Sequence, residues 1–189
     1  MAINLIKDIK AVKKNDPSAK NIIETLLSHA PLHAIMMYRF YHVLNNMRIP
    51  VIPRFLSMIN RFMTGIEIHP GAKIGEGFFI DHGMGIVVGE TAEVGDNCVL
   101  FHNVTLGGTG HHEDKRHPTL GNNVLVGTGS VILGPVFVGN NVNVGAKTVI
   151  INRDVPSYCT VVGTPGRIIK LEGEKVDLSL PLAHYKHKD

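Results

Sequence analysis

A six-residue period of aliphatic side chains runs through the second half of the chain and restricts its fold more than any other feature. Thirteen positions carry the period, and all are Ile, Val or Leu, although only 54 of the 189 residues are of these types. They are Ile68, Ile74, Ile80, Ile86, Val94, Leu100, Leu106, Leu120, Val126, Ile132, Val138, Val144 and Ile150. A period of six fits neither an amphipathic helix nor an alternating strand. It fits short strands joined by tight turns, each strand pointing one aliphatic side chain into a prism-like core.

Small and polar residues follow the aliphatic positions and supply the turns. Segments such as VGDNC, LGNNV and VGNNV place Gly and Asn where a turn needs a positive φ. Three hexapeptides close one coil, and stacked coils pair their backbones. The period breaks twice: a slip of two residues is predicted between Ile86 and Val94, and an ejected loop is predicted at 107–119.

The first 64 residues follow a helical pattern instead. Asp16, which precedes a proline, predicts a helix start with Asp16 as the N-cap, and this helix would stop near Pro31. Two more helices are predicted at about 32–46 and 53–63. The fold class is therefore mainly β, with a small helical region in front. The predicted domains are a helical region at 1–64, a parallel β-helix at 65–170 and a C-terminal tail at 171–189.

Charge, cysteines and hydropathy narrow the class of protein. A net charge of +3 is too weak and too dispersed to predict a nucleic-acid partner. Cys98 and Cys159 form no CxxC pair, which favours two free thiols in a reducing compartment. The N-terminus lacks the apolar core of a signal peptide and no 18-residue apolar run follows, so we expect a cytoplasmic protein with no membrane partner.

A set of motifs resembles those of the serine acetyltransferases, which are hexapeptide-repeat acyltransferases. The motifs are NDPSAKN in the helical region, GIEIHPGAKIGEGFFIDHGMGIVVGE at the start of the repeat, and VTLGGTG, KRHP and VVGTPGRII after it. The likeness extends over roughly residues 11–170. It implies transfer of an acetyl group from acetyl-CoA to the hydroxyl of L-serine. It also implies a left-handed β-helix and a homotrimer with active sites in the clefts between neighbouring prisms. Longer relatives join two trimers through a larger helical region, so a trimer is expected here before a dimer of trimers.

The chemistry of acyl transfer explains why an acid and an imidazole stand together in IDHGMGI. A serine hydroxyl needs a base, and the developing oxyanion needs hydrogen-bond donors. The resemblance makes His82 the base and Glu67, where many relatives have Asp, the carboxylate that orients it. Neither cysteine lies in a nucleophile motif, so direct transfer is expected. The alternatives are a His82 bonded to neighbouring backbone and a Glu67 that is only a solvated turn residue.

Recognition of serine as a zwitterion is assigned by the resemblance to four residues. Arg116 is suited to the substrate carboxylate, because a guanidinium binds a carboxylate through two parallel hydrogen bonds. Asp16 and Asp81 are the acids for the substrate ammonium, and His117 supplies a further polar contact. Two plainer interpretations stay open: Asp16 is only an N-cap, and Arg116 is a solvated residue of a charged loop.

Seven positions are implied for coenzyme A. Small residues would let the pantetheine arm approach the backbone, and basic side chains would meet the phosphates. They are Gly108, Thr128, Gly129 and Ala146 for pantetheine, and Lys147, Arg167 and Lys170 for the phosphates. No permanently bound cofactor and no metal are expected, since acetyl-CoA acts as a co-substrate.

Other functions remain open at this point. One is an acetyltransferase for a sugar or another amino alcohol such as homoserine. Another is a metal site like that of the γ-class carbonic anhydrases, because the histidines His82, His102, His111, His112 and His117 lie near the loop. A third is a scaffold that has lost activity. Feedback inhibition by L-cysteine is also expected. A complex with cysteine synthase is doubtful, because relatives that form it end in Ile and this chain ends in AHYKHKD.

Overall fold

The computed structural model describes residues 5–110 and 114–184, and within them four helices precede a solenoid of short strands. The helices are α1 (Leu5–Asn15), α2 (Ile22–Ser28), α3 (Ala30–Asn46) and α4 (Ile52–Thr64). The first strands are β1 (Glu67–Ile68), β2 (Lys73–Ile74), β3 (Phe79–Asp81), β4 (Val87–Val88), β5 (Glu93–Val94), β6 (Val99–Phe101), β7 (Thr105–Gly107) and β8 (Thr119–Leu120). The later strands are β9 (Leu125–Val126), β10 (Val131–Leu133), β11 (Phe137–Val138), β12 (Asn143–Val144), β13 (Val149–Ile151), β14 (Cys159–Val162), β15 (Arg167–Leu171) and β16 (Glu174–Ser179).

The strands form the three faces of a prism, because every third strand pairs in parallel with the strand one coil further on. The first face has the order β1-β4-β7-β10-β13, and the second has β2-β5-β8-β11. The third has β3-β6-β9-β12-β14 and continues into β15 and β16, which pair antiparallel. The β-helix with N-terminal helices that the sequence predicted is confirmed.

The aliphatic period forms the core of this prism. Each of its thirteen positions is at most 4% exposed. The predicted register holds along the later coils, where Ile132 pairs with Ile150 eighteen residues further on. Stacking of such ladders removes the apolar side chains from water and satisfies the backbone of each strand through the coils on either side.

The predicted place of the two-residue slip is wrong. Ile68 pairs with Val88, twenty residues on, so Val88 rather than Ile86 belongs to the ladder. The two extra residues therefore lie between Ile80 and Val88, before the position that the spacing suggested. Ile86 is also aliphatic and buried, at 1% exposed, and it lies six residues after Ile80, so in the sequence it looks like a ladder position. The extra length falls in the corner between the third and first faces, the corner that contains His82.

The helical region differs from the sequence prediction in its first part. Helix α1 was not predicted, and Asp16 directly follows its end. The N-cap of α2 is Asn21, whose side-chain oxygen accepts from the N–H of Ile23 at 2.9 Å. The prediction of Asp16 as a helix N-cap is therefore wrong. Helix α2 ends at Ser28, near Pro31 as predicted, and Pro31 itself lies in the first turn of α3, where its missing N–H costs nothing.

Buried polar contacts attach the helices to the first coil. Asp8 of α1 is 0% exposed, and it accepts from Arg39 Nε at 3.2 Å and from the N–H of Phe78 at 3.2 Å. Burial raises the pKa of Asp8, and the neighbouring Arg39 opposes that rise. Tyr38 and Tyr41 of α3 donate their hydroxyls to carbonyl oxygens of the first coil. Because each buried group has its partner, the helices have one fixed orientation on the prism.

The structure extends the sheet beyond the predicted end of the β-helix. Strand β15 runs on to Leu171, and β16 lies within the segment 171–189 that was predicted as a tail. Residues 185–189 of that tail lie outside the described residues. Across the described segments, no helix combines the length and the apolar character that a membrane crossing requires.

Candidate active site

The corner between the third and first faces carries three neighbouring side chains. They are Asp81 and His82 at the end of β3, and His102 one coil further on after β6, and we call them the His82 corner. His82 has a φ of +61°, and the side chain that this turn projects is 77% exposed. Its Nε2 lies 3.8 Å from Oδ1 of Asp81. Asp81 pairs with Phe101 one coil on, so His102 lies above His82, with ring centroids 5.9 Å apart and planes at 77°.

Glycines allow the widened turn of this corner. Gly83 and Gly85 have φ of +79° and +78°, a region that side chains with a Cβ rarely adopt. A Cβ on Gly83 would also come within 2.5 Å of Cδ1 of Ile66. The local sequence HGMG therefore makes the turn that exposes His82.

The helical region brings a second acid to the same corner. Asp16 Oδ1 accepts from the N–H and hydroxyl of Ser18 at 2.8 and 2.6 Å, and these bonds lower its pKa. Its Oδ2 lies 3.7 Å from Nε2 of His29. Burial lowers the pKa of His29, and the carboxylates of Asp16 and Asp81 oppose that lowering. Asp16 and Asp81 therefore both act on the imidazole of His29, and their two carboxylates give this part of the molecule negative charge.

Four small or basic residues continue the column of His82 and His102 along the prism. The N–H of Gly129 donates to the carbonyl oxygen of His102 at 3.0 Å, and the N–H of Lys147 donates to that of Thr128 at 2.7 Å. Ala146 and Lys147 are exposed, and Thr128 and Gly129 are partly exposed. These four are residues that the sequence assigned to coenzyme A, and they share one edge of the prism with the candidate base.

A different corner, between β7 and β8, holds Arg116 and His117. With Glu90 and Thr91 they form what we call the Arg116 group. The Thr91 hydroxyl oxygen accepts from the N–H groups of Arg116 and His117 at 3.0 and 3.1 Å. The Arg116 side chain, 23% exposed, forms an ion pair with Glu90, and that contact lowers the pKa of Glu90. The loop end is thus bound to the preceding coil.

His117 has a defined protonation state within this group. Its Nδ1 accepts from the N–H of Thr91 at 3.2 Å and lies 2.9 Å from the Thr91 hydroxyl. His117 is 9% exposed, and burial, followed by the charge of Arg116, lowers its pKa to about 4. At neutral pH the ring is uncharged and carries its proton on Nε2. His117 is therefore a hydrogen-bond donor and is not suited to be the base.

Comparison with known proteins shows which family the chain belongs to. The chain is 52% identical over 185 residues to a serine acetyltransferase of Synechococcus elongatus, an alignment that covers 98% of this chain and 74% of that protein. The chain belongs to the serine acetyltransferase family. A serine acetyltransferase of Staphylococcus aureus is 49% identical over 177 residues, with 94% of this chain and 83% of that protein covered. No model of a known protein family matches the chain.

Solved serine acetyltransferase structures share the fold. The enzyme of Neisseria gonorrhoeae has a TM-score of 0.85 and 36% identity, covering 91% of this chain and 66% of that chain. The soybean enzyme complexed with serine has a TM-score of 0.83 and 37% identity, covering 87% and 68%. A serine acetyltransferase in complex with cysteine has a TM-score of 0.85 and 38% identity, covering 88% and 68%. The chain thus spans about two thirds of the length of these structures.

Glu67 does not contact His82 in this member of the serine acetyltransferase family. Its carboxylate lies 2.9 Å from Arg61 and 3.7 Å from Arg54, both on α4. Among the residues that the structure describes, no hydrogen bond or ion pair joins Glu67 to His82. The orienting role of Glu67 stays a prediction, and the arginines compete for the carboxylate it would use.

The remaining coenzyme A candidates are Gly108, Arg167 and Lys170. Gly108 follows β7 at the corner of Arg116, and a Cβ there would lie 3.1 Å from the Arg116 carbonyl oxygen. Arg167 is already paired with Asp177 of β16 at 2.7 Å and with the hydroxyl of Ser179 at 3.2 Å. Lys170 is exposed on β15. Arg167 is therefore the weakest of the phosphate candidates.

Both cysteines are unsuited to nucleophilic catalysis. They are free thiols and at most 1% exposed. Burial raises the pKa of Cys98 to about 11 and also raises that of Cys159. A buried thiol that resists ionisation is a poor nucleophile, which supports direct transfer between the two substrates.

Nothing in the described part of the chain supports the metal alternative. No group of three or more His, Cys, Asp or Glu side chains there is arranged to hold a metal ion. His111 and His112, two of the histidines behind that hypothesis, lie outside the described residues. Nδ1 of His117 is already occupied by Thr91.

Sequence reasoning missed three residues of the site. His29 lies beside Asp16, Thr91 binds the loop, and Glu90 pairs with Arg116. Glu90 is the last residue of the motif DHGMGIVVGE and Thr91 directly follows it, so their place in the chain gave a signal. His29 gave none, because its neighbours come from the prism and from Asp16, thirteen residues before it in the chain.

Proposed function

We propose that this chain is a serine O-acetyltransferase, which transfers acetyl directly from acetyl-CoA to L-serine and gives O-acetyl-L-serine and CoA. This reaction is the first step from serine to cysteine. One observation carries the proposal: the exposed imidazole of His82 lies next to Asp81 and on the same prism edge as a column of small residues, and Asp16 lies close to His29, whose pKa Asp81 also affects. The carboxylates suit an amino-acid ammonium, and the column suits an extended pantetheine. The relatives' complexes with serine add support.

In the proposed reaction His82 removes the proton from the serine hydroxyl as that oxygen attacks the thioester carbon. The carbonyl π pair moves to oxygen and forms an oxyanion. When the carbonyl reforms, the carbon–sulfur bond breaks, and the CoA thiolate takes the proton back from His82. Asp16 and Asp81 hold the substrate ammonium by charge, which orients the hydroxyl towards the imidazole.

The proposed carboxylate contacts come from a second copy of the chain. Arg116 and His117 lie at the corner between the first and second faces, whereas His82 lies at the corner between the third and first faces. In a cyclic trimer, each interface joins two different surfaces of the same chain. A homotrimer of parallel prisms would therefore set the His82 corner of one copy opposite the Arg116 group of its neighbour. Nε2–H of His117 would then donate to the substrate beside the guanidinium.

The experiment that tests the function compares wild type with His82→Ala, using acetyl-CoA and L-serine, homoserine or a sugar as acceptor. We expect turnover with serine and a loss of about 10²–10⁴-fold in His82→Ala, because general-base catalysis of this kind contributes that much. His184→Ala removes an exposed imidazole elsewhere and serves as the control. A near-normal rate in His82→Ala would remove His82 as the base.

The same assay tests acceptor choice and inhibition. A higher kcat/KM with homoserine or a sugar than with serine would replace the proposed substrate. We also propose that L-cysteine, which relatives bind, competes for the serine site. Millimolar cysteine should raise the apparent KM for serine, and an unchanged rate at low serine would contradict this.

A further inference from the structure

His29 lies where α2, α3 and the prism meet, and the proposed reaction gives it no task. Its backbone N–H donates to the carbonyl oxygen of Thr25 at 3.1 Å, at the end of α2. Its ring lies beside Phe79 of β3, with ring centroids 6.2 Å apart, and its side chain is 15% exposed. Because two helices and a strand surround the imidazole, both of its nitrogens have defined neighbours.

The start of α3 determines which nitrogen of His29 carries the proton. His29 is the N-cap of this helix, and its Nδ1 accepts from the N–H of Leu32 at 3.1 Å. A ring nitrogen that accepts an N–H bears a lone pair, so the imidazole is neutral and its single proton is on Nε2. Burial lowers the pKa of His29 from its ordinary 6.5, which agrees with a neutral ring at neutral pH. His29 therefore has one N–H donor, at Nε2.

This donor faces Asp16, one of the two acids proposed for the substrate ammonium. Nε2 lies 3.7 Å from Oδ2 of Asp16, which is longer than a hydrogen bond but close enough for the N–H dipole to attract the carboxylate. The other oxygen, Oδ1, accepts from the N–H and the hydroxyl of Ser18. Asp16 lies in the connection between α1 and α2, outside both helices. Ser18 thus holds one oxygen of this carboxylate, and His29 restrains the other.

A neutral imidazole is compatible with a site that must admit an ammonium. The Nε2–H of His29 is a donor and cannot accept a hydrogen bond from the ammonium, so His29 does not bind that group itself. A protonated ring would put a positive charge near Asp16 and Asp81 and compete with the ammonium for their charge. His29 can therefore assist recognition of the ammonium only through the carboxylate beside it.

We propose that His29 is a positioning residue that holds the carboxylate of Asp16, through its Nε2–H, at the place where the substrate ammonium binds. This inference rests on the proposed function and deepens it, because it adds a residue to the recognition of serine. His29 takes no part in proton transfer. Its loss should therefore raise the KM for serine and leave kcat unchanged.

The test uses two amide variants that divide the roles of the two ring nitrogens. In His29→Asn the side-chain oxygen can still accept from the N–H of Leu32, because Asn is a preferred N-cap, but no donor reaches the place of Nε2. In His29→Gln the amide reaches about as far as Nε2, but Gln is not a preferred N-cap. We expect the KM for serine to rise about fivefold in His29→Asn, the size of one modest polar contact, and less than about twofold in His29→Gln.

Stability and the other kinetic constants should follow a different order. The midpoint of thermal unfolding should stay near that of wild type in His29→Asn and fall in His29→Gln, because only the second variant loses the cap of α3. In both variants kcat and the KM for acetyl-CoA should stay within about twofold of wild type. If His29→Asn fails to fold, His29→Ser, which also caps a helix and also lacks the donor, takes its place.

A double-mutant cycle checks that His29 acts through Asp16. Asp16→Asn removes the charge that both the ammonium and the Nε2–H of His29 would use. Adding His29→Asn to Asp16→Asn should therefore raise the KM for serine by less than about twofold further. A further fivefold rise would make the two residues independent and overturn the inference.

The other outcomes separate this inference from the proposed function. Oligomer mass shows that the variants compared have the same assembly as wild type. A KM for serine like that of wild type in His29→Asn overturns the inference and leaves the proposed function intact. Equal rises in His29→Asn and His29→Gln overturn it in favour of packing alone, and a fall in kcat as large as the rise in KM overturns it in favour of an effect on the base. A wild type that acetylates no serine overturns both proposals.

Discussion

The His82 corner and the Arg116 group are two halves of one proposed site, and they differ in how complete they are within a single chain. The His82 side chain is 77% exposed and its nearest ionic contact is at 3.8 Å. His117 is 9% exposed, and it and Arg116 are held by hydrogen bonds to Thr91. The Arg116 group is thus organised by the chain itself. The His82 corner is open.

This difference is what a shared site requires. A corner that must admit two substrates and face a second copy cannot be closed by its own chain. The surface opposite it, the Arg116 group, can be ordered before the substrate binds. An ordered recognition group loses less conformational entropy on binding. We therefore predict that the His82 corner of one copy works with the Arg116 group of another. We also predict that substitutions in the two places have different effects.

The largest effect is expected from mixing two inactive variants. His82→Ala and Arg116→Ala are each expected to be nearly inactive alone. When the two are unfolded together and refolded at equal concentration, about a quarter of the interfaces in a cyclic trimer would combine an intact His82 with an intact Arg116. Activity should then return to about a quarter of the wild-type value. Absence of any recovery in mixed trimers, verified by mass, would show that both halves belong to one chain.

A smaller effect is expected from Thr91→Val, which keeps the shape of the side chain and removes its oxygen. Two backbone N–H groups and Nδ1 of His117 lose a partner, so the free energy of unfolding should fall by about 1–3 kcal/mol. The KM for serine should rise by about tenfold with a smaller change in kcat, because carboxylate binding is loosened and the base is untouched. Thr91→Ser keeps the oxygen and is the matched control. A KM for serine like that of wild type in Thr91→Val would disconnect Thr91 from recognition.

The smallest effect is a pH dependence of stability from His117. Its pKa is lowered from 6.5 to about 4, so between these values the unfolded chain binds a proton that the folded chain does not. The free energy of unfolding therefore falls as the pH falls through this range, by about 2 kcal/mol at pH 5 for this group. Denaturant titrations of wild type and His117→Asn at pH 7 and pH 5 measure the difference. Identical pH dependence in both would refute the assigned protonation state.

The sequence predicted the parts of the fold that a strict period determines. The ladder positions could be predicted from their spacing alone, because few other folds bury an aliphatic side chain at every sixth residue. The place of the slip failed because Ile86 and Val88 are both aliphatic and two apart, and only pairing with Ile68 distinguishes them. Helix α1 was missed because it is rich in lysine, and its one buried acid, Asp8, finds Arg39 only in the folded chain.

The sequence predicted the residue types of the site better than their partners. Asp16 was recognised, but a carboxylate before a proline is also a capping signal, and the cap belongs to Asn21. Glu67 was assigned to His82 by resemblance to the family's motif, whereas the arginines that hold it come from α4, a helix whose docking no local pattern describes. His29 lies beside Asp16 and near Phe79 of β3, and no local sequence pattern predicts either contact.

The two extra residues at the His82 corner lie where the ladder makes no demand on side chains. The aliphatic register resumes at Val88, so the exposed His82 and the residues of the ladder are different residues with different tasks. The exposed positions of this stretch, such as His82 and Met84, can therefore change their chemistry over evolutionary time, whereas Gly83 and the buried Ile86 are fixed by the stack beneath them. A regular prism with one irregular bend is a scaffold on which new acceptors could be tried.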